Sequence, residues 1–566
     1  MTRRPPRVRS GPARAAREPS PGAAWIAVGI LTLLAAVLRL TGLTHSPPGL
    51  NQDEAVNAWN AFCLLRTGRD MVGAHWPIFY AHSIGDNRTT LLLYWLIPFQ
   101  ALGGLSVLSM RVAVATAGIL CVPLIFHVGT RLFGRLTGVV AAALLVVNPW
   151  HFSSTRWAID GSLVPFLTLA ALALMLSAGL PISDGDSRRA RPWLAALAGL
   201  VGGAGCYGYW AMRLHFPVFL ALAVLLTWRH WRELLRSRTG RLTALAFALG
   251  VAATFGPLAL RHLTDPAIAM RAAMTRLWDP GTSLAEIARR VLERYVIHFG
   301  PDFLFVRGDL DPGNAPADSG AFEWALLPLM LTGLAVALRR AGSSASNALL
   351  VALVLAYPVG DLAGRYDGVH AFRSSPGMAG LLLLAAWGGV CAWRWARVKR
   401  GLAWAVAGAI AAATLIQDAR SMATYFGPWP DRPEVAYLFH PDFMQACAWV
   451  RPRLRDVDAV FWTARDVNMP FAMTLVGLGY DPARWLADPK EVHVDANGWE
   501  HYARYGDNYF LYGQLCRPYV EAMQADGRRE RVLFVVRPHE LGLQDPVHVV
   551  RGPRGEERLW ICAVDL

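Results

Sequence analysis

Residues 25–40 read WIAVGILTLLAAVLRL, an apolar run close to the ~20 residues that a helix needs to cross a bilayer. Similar runs recur along much of the chain. The protein has 566 residues, of which 54% are hydrophobic and only 17% charged, and its mean hydropathy is +0.31. Soluble domains carry about a quarter charged residues. The sequence therefore predicts an integral membrane protein.

The segment before this run is rich in arginine and proline and lacks a convincing small-residue cleavage site after Leu40, so we expect a retained signal anchor behind a cytoplasmic tail, residues 1–22. The tail contains Arg3, Arg4, Arg7, Arg9, Arg14 and Arg17. The net charge of +14 comes largely from arginines in short loops between apolar segments, as the positive-inside rule requires. Aromatic–basic patterns typical of RNA binding are absent, and no nucleic-acid partner is expected.

The arginine-rich loops also orient the chain. They lie near Arg131 and Arg135, at residues 188–191, at 229–241, at 339–340 and at 394–400. Alternation between them predicts about eleven spans, at roughly 25–40, 111–128, 136–150, 161–180, 193–210, 214–228, 242–260, 322–338, 346–360, 376–393 and 402–418. The external regions would be the loop 42–88, the turn before Asp160, the long loop 261–321, the loop 361–375 and everything after about 419. The apolar segment 89–105 disturbs this alternation. It is either a re-entrant or interfacial helix broken at Pro98, or a sign that there are twelve or thirteen spans.

The last part of the chain, residues 421–566, predicts a different structure from the membrane portion, residues 23–420. Runs at 459–462 and 531–536 are typical of strands, and 445–454 of a helix. We expect a small extracytoplasmic α/β domain. Of its cysteines Cys447, Cys516 and Cys562, two could form a disulfide, although the sequence does not indicate which.

The first external loop carries two adjacent acids, in Gly49-Leu50-Asn51-Gln52-Asp53-Glu54-Ala55. Acids at a helix start meet free N–H groups and the positive end of the helix dipole, so a helix cap is the simpler interpretation of Asp53 and Glu54. The helix that follows, through Trp59 and Leu64, could lie on the membrane surface.

A third acid, Asp160, favours chemistry over capping. It follows Arg156-Trp157-Ala158-Ile159 where a span leaves the same external face. An ionisable group at the edge of a bilayer is costly unless it is paired or used, and a helical salt bridge to Arg156 is the structural alternative. Acids on one face fit an enzyme in which one carboxylate removes a proton from an acceptor and another orients it or holds a divalent metal.

These residues resemble a known family. An Asp-Glu pair after the first helix, followed by Arg131-Leu-Phe-Gly, Asn148-Pro149, Arg156 and Asp160, is similar to the GT-C-fold glycosyltransferases, in particular the protein O-mannosyltransferase and lipid A aminoarabinose transferase branch. The resemblance is best over residues 47–180. It implies a sugar donor linked to a polyprenyl phosphate, inversion at the anomeric carbon, Asp53 as catalytic base, Glu54 as its partner and Asp160 as a positioning acid. An Arg-Tyr pair before a late span also belongs to the pattern. Arg365-Tyr366 stands there, although its surroundings differ.

The leaving lipid phosphate requires positive charge near the membrane surface, and arginine suits phosphate through its planar fork of donors. Candidate substrate-binding residues are therefore Arg88, Arg156, Arg365, Tyr366, His370 and Arg373, with headgroup anchoring as the alternative for each arginine. The long loop offers His262 and His298 as candidate metal ligands, although a lone histidine is more often structural.

The prediction is thus a polytopic α-helical membrane protein of the GT-C type with a C-terminal extracytoplasmic α/β domain. It would be a cell-envelope glycosyltransferase in a bacterial plasma membrane that moves a sugar from a lipid carrier to a glycan, lipid or protein, as in protein glycosylation. The sequence indicates no definite cofactor, with a divalent metal as the possible one. The rivals are a transporter or flippase of lipid-linked sugar, which would place charges within its spans, and a non-catalytic membrane assembly protein.

Overall fold

The computed structural model describes residues 18–181, 190–314, 319–396, 400–496, 498–512, 521 and 531–565. The predictions for the arginines of the N-terminal tail, for Arg188, Arg189, Arg397 and Lys399, and for Cys516 lie outside these residues. The helices up to residue 426 are α1 (Pro21–Leu40), α2 (Gln52–Thr67), α3 (Leu91–Gly103), α4 (Val107–Phe133), α5 (Arg135–Val147), α6 (Pro149–Ser154), α7 (Val164–Ser177), α8 (Pro192–Ala204), α9 (Trp210–Leu226), α10 (Trp228–Leu234), α11 (Arg238–Thr264), α12 (Pro266–Thr275), α13 (Leu284–Ile297), α14 (Leu327–Arg340), α15 (Ala345–Ala356), α16 (Ala371–Ser374), α17 (Met378–Trp395) and α18 (Arg400–Phe426).

Each of the eleven predicted apolar segments is helical. Among the described residues, six helices are long and apolar enough to cross a bilayer by themselves, and the sharply bent pair α9 and α10 would make a seventh span. Four further apolar helices are shorter: Leu91–Gly103, Arg135–Val147, Pro192–Tyr207 and Ala345–Asp361. On length and composition alone, the part of the chain that the structure describes therefore has six to seven spans, and the predicted eleven includes helices too short to cross by themselves. The protein is nonetheless an integral, multi-pass membrane protein.

Small residues allow the membrane helices to approach closely. A Cβ at Gly199 of α8 would lie 2.3 Å from the carbonyl oxygen of Phe247 on α11, and a Cβ at Gly250 would meet α8 at the same distance. On α17, a Cβ at Gly388 would lie 1.9 Å from the carbonyl oxygen of Leu329 on α14. Within lipid, where the hydrophobic effect does not drive helices together, such contacts provide the packing.

The segment 89–105 contains the short helix α3, with Pro98 inside it. This helix packs on α2 rather than standing alone, because Gln100 Nε2 donates to the carbonyl oxygen of Ala58 at 2.9 Å. Its other end contacts the loop after α2 through the Tyr94 hydroxyl, which donates to the Pro77 carbonyl oxygen at 2.7 Å. It is one of the apolar helices too short to span by itself, and its interfacial or re-entrant position stays a prediction.

The C-terminal part contains α19 (Pro433–Phe439), α20 (Pro441–Val450), α21 (Pro470–Leu478) and α22 (Pro482–Ala487), and the strands β3 (Ala459–Thr463), β4 (Lys490–Val494), β5 (Glu500–Tyr505), β6 (Asn508–Leu511), β7 (Arg531–Val536), β8 (His548–Arg551) and β9 (Glu557–Asp565). The strands form one sheet in the order β4-β5-β6-β3-β7-β9-β8. β3 pairs in parallel with β6 and β7, and the other pairs are antiparallel. The predicted strands at 459–462 and 531–536 are thus β3 and β7. Cys447 and Cys562 are buried free thiols.

Helix α2 lies between the membrane helices and this C-terminal sheet. Trp59 and Leu64 of α2 are fully buried, and the Trp59 ring packs edge-on against Trp485 of α22, with ring centroids 6.0 Å apart. The Trp485 indole also donates to the Met71 carbonyl oxygen at 2.7 Å. The expectation that α2 lies on the membrane surface is wrong on this point, because the C-terminal part covers it.

Candidate active site

The acidic pair begins helix α2, and the capping alternative is correct in part. Asn51 is the N-cap, and its side chain accepts a hydrogen bond from the Asp53 backbone N–H at 2.8 Å. The Glu54 side chain reaches back to the Asn51 N–H at 3.4 Å, which completes a capping box. The two acids nonetheless have different surroundings, because consecutive helical residues point about 100° apart.

Glu54 is completely buried and holds three segments together. Its carboxylate accepts from Arg111 Nε at 3.0 Å and from Arg111 Nη2 at 2.7 Å. It also accepts from the Ala158 backbone N–H at 2.8 Å. A bidentate arginine–carboxylate pair of this kind is geometrically rigid. Glu54 therefore joins α2 to α4 and to the loop that carries Asp160.

Asp53 lies on the more open side, with 28% of its side chain exposed. Arg88 Nη2 donates to Asp53 Oδ1 at 2.8 Å, and the Arg88 side chain is only 4% exposed. Arg88 also lies 3.5 Å from buried Asp86. Although burial works against the charged guanidinium, the charges of Asp53 and Asp160 raise the pKa of Arg88. Arg88 thus remains a cation beside the one acid of the pair that solvent reaches.

A short hairpin presents Arg88. Its strands are β1 (Ala81–His82) and β2 (Asn87–Arg88), which pair antiparallel with Ala81 opposite Arg88. Gly85 in the turn has φ +94°, and a Cβ there would lie 2.2 Å from the Gly498 carbonyl oxygen. Only glycine therefore fits the turn, both for its backbone conformation and for its contact with the C-terminal part.

Asp160 belongs to the same site, as the sequence predicts. It is buried, and Asn57 Nδ2 of α2 donates to its Oδ1 at 3.0 Å. Arg88 interacts electrostatically with both Asp160 and Asp53. One buried arginine therefore faces two of the three predicted catalytic acids.

Arg156 points away from Asp160. Its guanidinium donates to the backbone carbonyl oxygens of Leu38, Arg39, Thr41 and Ser46, between 2.7 and 3.3 Å. It also lies over the rings of Phe152, Tyr425 and Phe426. The helical salt bridge weighed from the sequence is therefore wrong, and the side chain is occupied in joining the end of α1 to α6 and α18.

The residues predicted around 361–375 form a second polar cluster on two buried acids. Asp309 accepts from the Tyr366 hydroxyl and from the Ala371 N–H at 2.7 Å, with His370 Nδ1 3.9 Å away. Asp361 pairs with Arg294 at 2.8 Å and lies 3.5 Å from Arg373. Arg365 is apart from them: it pairs with Asp279 at 2.8 Å, and both side chains are largely exposed.

Two residues that the sequence did not single out connect the clusters. Tyr209 lies close enough to Arg373 and to Asp160 to interact electrostatically with both. Asp311 in the long loop lies close enough to Asp53 for their charges to repel, and burial raises the pKa of Asp311. The two acids two residues apart, Asp309 and Asp311, were the available signal in the sequence. The polar site thus runs from Asp53 through Arg88, Asp160 and Tyr209 to Arg373.

The candidate metal ligands have other contacts. His298 is buried, with Nδ1 2.6 Å from the Arg294 carbonyl oxygen and Nε2 3.1 Å from the Ser374 hydroxyl. His262 is exposed and packs near Trp210, with ring centroids 6.2 Å apart. Within the described ranges, no three His, Cys, Asp or Glu side chains are grouped so that they could hold a metal ion. The structure therefore brings neither histidine into such a group.

Comparison with known proteins matches this geometry to a family and a fold. Residues 78–260 match the dolichyl-phosphate-mannose-protein mannosyltransferase family. The structure is similar to that of ArnT from Cupriavidus metallidurans, with 14% sequence identity, a TM-score of 0.52, and coverage of 96% of this chain and 98% of that chain. An oligosaccharyltransferase, AglB from Archaeoglobus fulgidus, is 13% identical over 80% of this chain and 63% of that one, with a TM-score of 0.49. No curated protein matches the sequence. These comparisons show that the chain has the fold of ArnT and that its residues 78–260 resemble a mannosyltransferase family.

Proposed function

We propose that the protein transfers a sugar from a polyprenyl-phosphate carrier to an acceptor hydroxyl or amine at the extracytoplasmic face, with inversion at the anomeric carbon. The single observation that carries this proposal is the contrast between the paired acids. Glu54 is buried with both oxygens engaged, whereas Asp53, which pairs with Arg88, remains partly exposed. Similarity to a family named for a dolichyl-phosphate sugar supports the choice of donor.

In this mechanism Asp53 is the general base. Its carboxylate takes the proton from the acceptor nucleophile as that nucleophile attacks the anomeric carbon. The bond between this carbon and the phosphate oxygen breaks, and the electron pair leaves with the lipid phosphate. Arg88 orients Asp53, and Glu54 acts as a positioning residue that fixes the start of α2.

Positive charge at the other end of the polar site suits the leaving phosphate. Arg373, 19% exposed beside Asp361, is connected to Asp160 through Tyr209. Preorganised donors of this type stabilise charge that develops in a transition state without the cost of rearranging water. We assign the carrier phosphate to the part of the polar site that contains Arg88 and Arg373. His370 and Tyr366, whose rings pack against each other, are the neighbouring residues.

The test is transfer in proteoliposomes that contain a radiolabelled polyprenyl-phosphate sugar and a candidate acceptor. Removing a general base costs about 10²–10⁴-fold in rate, so Asp53→Asn should lose transfer by that factor. Asp279→Asn is the matched control, because it makes the same acid-to-amide change in an exposed ion pair outside the site. Full transfer by a well-folded Asp53→Asn protein would exclude Asp53 as the base. Movement of the lipid-linked sugar across the membrane without transfer would favour the flippase instead.

A further inference from the structure

We infer that Glu500, in the C-terminal part, is a positioning residue for the reaction: it clasps His82 and so holds the hairpin that presents Arg88 to Asp53. This inference rests on the proposed function, since it concerns the same site. The C-terminal sheet would then contribute to catalysis by positioning the hairpin that carries Arg88.

The clasp is a direct side-chain contact between segments far apart in the chain. His82 Nε2 lies 2.8 Å from Glu500 Oε2 across a separation of 418 residues. The His82 and Glu500 side chains are 26% and 21% exposed. An ion pair that is mostly buried is screened by salt less than an exposed one, so this contact can position the hairpin.

Backbone contacts place the clasp in register. The Glu500 N–H donates to the Ile84 carbonyl oxygen at 3.1 Å, and the Gly85 turn touches Gly498 and Trp499. On its other side, the hairpin is held by Asn60 Nδ2, which donates to the His82 carbonyl oxygen at 3.0 Å. The hairpin is therefore fixed between α2 and β5.

The path from the clasp to the catalytic acid is short. His82 pairs with Asn87 across the hairpin, and Ala81 pairs with Arg88. Any change in the angle at which β5 holds His82 therefore moves the Arg88 backbone. Because Arg88 donates to Asp53 Oδ1, such movement changes the direction of the base. Misplacing a catalytic group by about 1 Å can lower a rate about 100-fold.

The charge on His82 sets the strength of the clasp. The groups that face it are Glu500 from β5, Asp70 from the loop after α2 and Asn87 from β2. Although burial disfavours the imidazolium, these partners raise the pKa of His82 above its usual 6.5. Because the folded-state pKa is the higher one, the ion pair is fully present below pH 6.5 and is lost as the pH rises through the raised value.

The experiment compares wild-type protein and Glu500→Gln in proteoliposome transfer from pH 5.5 to 9. The amide cannot form the ion pair. At low pH, kcat should therefore fall about tenfold, with the acceptor KM little changed. The wild-type to variant ratio of kcat should approach one as His82 loses its proton. Asp507→Asn, an exposed acid paired with Arg484 in the β5–β6 turn, should give a ratio near one at every pH.

A second comparison separates positioning from general damage to the fold. In an Arg88→Ala background, measured by single-turnover transfer, Glu500→Gln should have no further effect, because the residue through which it acts is missing. A ratio that does not vary with pH, or an undiminished Glu500→Gln effect without Arg88, would overturn the inference.

Failure of the proposed function itself would look different. If the wild-type protein transfers no sugar from any polyprenyl-phosphate donor, the contact between His82 and Glu500 is tested by comparing the Tm of the wild-type protein with that of Glu500→Gln. Glu500→Gln should then lower Tm at pH values below the raised pKa of His82, and should leave Tm unchanged at higher pH. An equal Tm difference at pH 5.5 and pH 9 would exclude the clasp independently of the reaction.

Discussion

The residue that most influences the shape of the site is Glu54, although it does not face the open side. Because it is buried against Arg111, Arg111→Met should leave an uncompensated charge and lower the free energy of unfolding by about 3–5 kcal/mol. The double variant Glu54→Gln/Arg111→Met should recover much of that loss, since both charges are gone. Thermal unfolding in detergent measures both. If the double variant is no more stable than Arg111→Met, the pair is not what determines stability there.

Asp309 carries a second residue-scale prediction. Burial raises its pKa from 3.8 to about 6, against the hydrogen bonds from Tyr366 and Ala371, which lower it. The folded protein thus keeps a proton that the unfolded chain has released, so this carboxyl removes stability as the pH rises from about 4 to about 6. Asp309→Asn should abolish this part of the pH dependence, measured as Tm against pH. Asp302→Asn, at an exposed acid in the same loop, should retain it.

The sequence alone could place Asp53, Glu54 and Asp160 in one region but could not separate their roles. Asp53 and Glu54 are adjacent, and their difference arises only from which direction of α2 meets Arg111. Arg111 itself stands at the start of a predicted span, where snorkelling to the membrane surface is the ordinary expectation. Tyr209 reaches the site through the packing of α9, so its position could not be predicted from the neighbouring sequence.

At the scale of elements, Gly85 in the hairpin 81–88 can be compared with Gly73 in the loop that precedes the hairpin. Gly85 and Gly73 have φ of +94° and +96°, but only Gly85 has the C-terminal part against it. Both alanine variants should bear a similar backbone strain of about 1–3 kcal/mol. Gly85→Ala should in addition displace Arg88 and lower transfer well below that of Gly73→Ala. Equal activities would show that the contact with Gly498 does not position the hairpin.

The elements differ in how well the sequence predicts them. Long apolar helices and the buried strands β3 and β7 follow from their own residues, because each is apolar along its length. The hairpin strands are two residues each, too short for any alternation to be detected. Strand β4 is mostly exposed and polar, so only its pairing with β5 makes it a strand.

At the scale of the whole molecule, cysteine labelling tests the predicted orientation in the membrane. The described native cysteines are buried, so labelling of an introduced cysteine can be compared with labelling of the wild-type protein. The wild-type protein also accounts for any labelling of Cys516. Val494→Cys, on exposed β4, should react with a membrane-impermeant maleimide in intact cells. Arg339→Cys, in a turn predicted to be cytoplasmic, should react only after permeabilisation. The reverse pattern would place the candidate site on the cytoplasmic side.

The contact between His82 and Glu500 also has a consequence for the order of events during biosynthesis. All of the membrane helices precede Glu500 in the chain, so they are made before the residue that clasps the hairpin. A nascent or truncated chain ending before β5 would hold Asp53, Arg88 and Asp160 without the clasp. Under the proposed function, such a chain would lack the contact that positions Arg88, so we expect full transfer only after the C-terminal part has been synthesised and has packed against the hairpin.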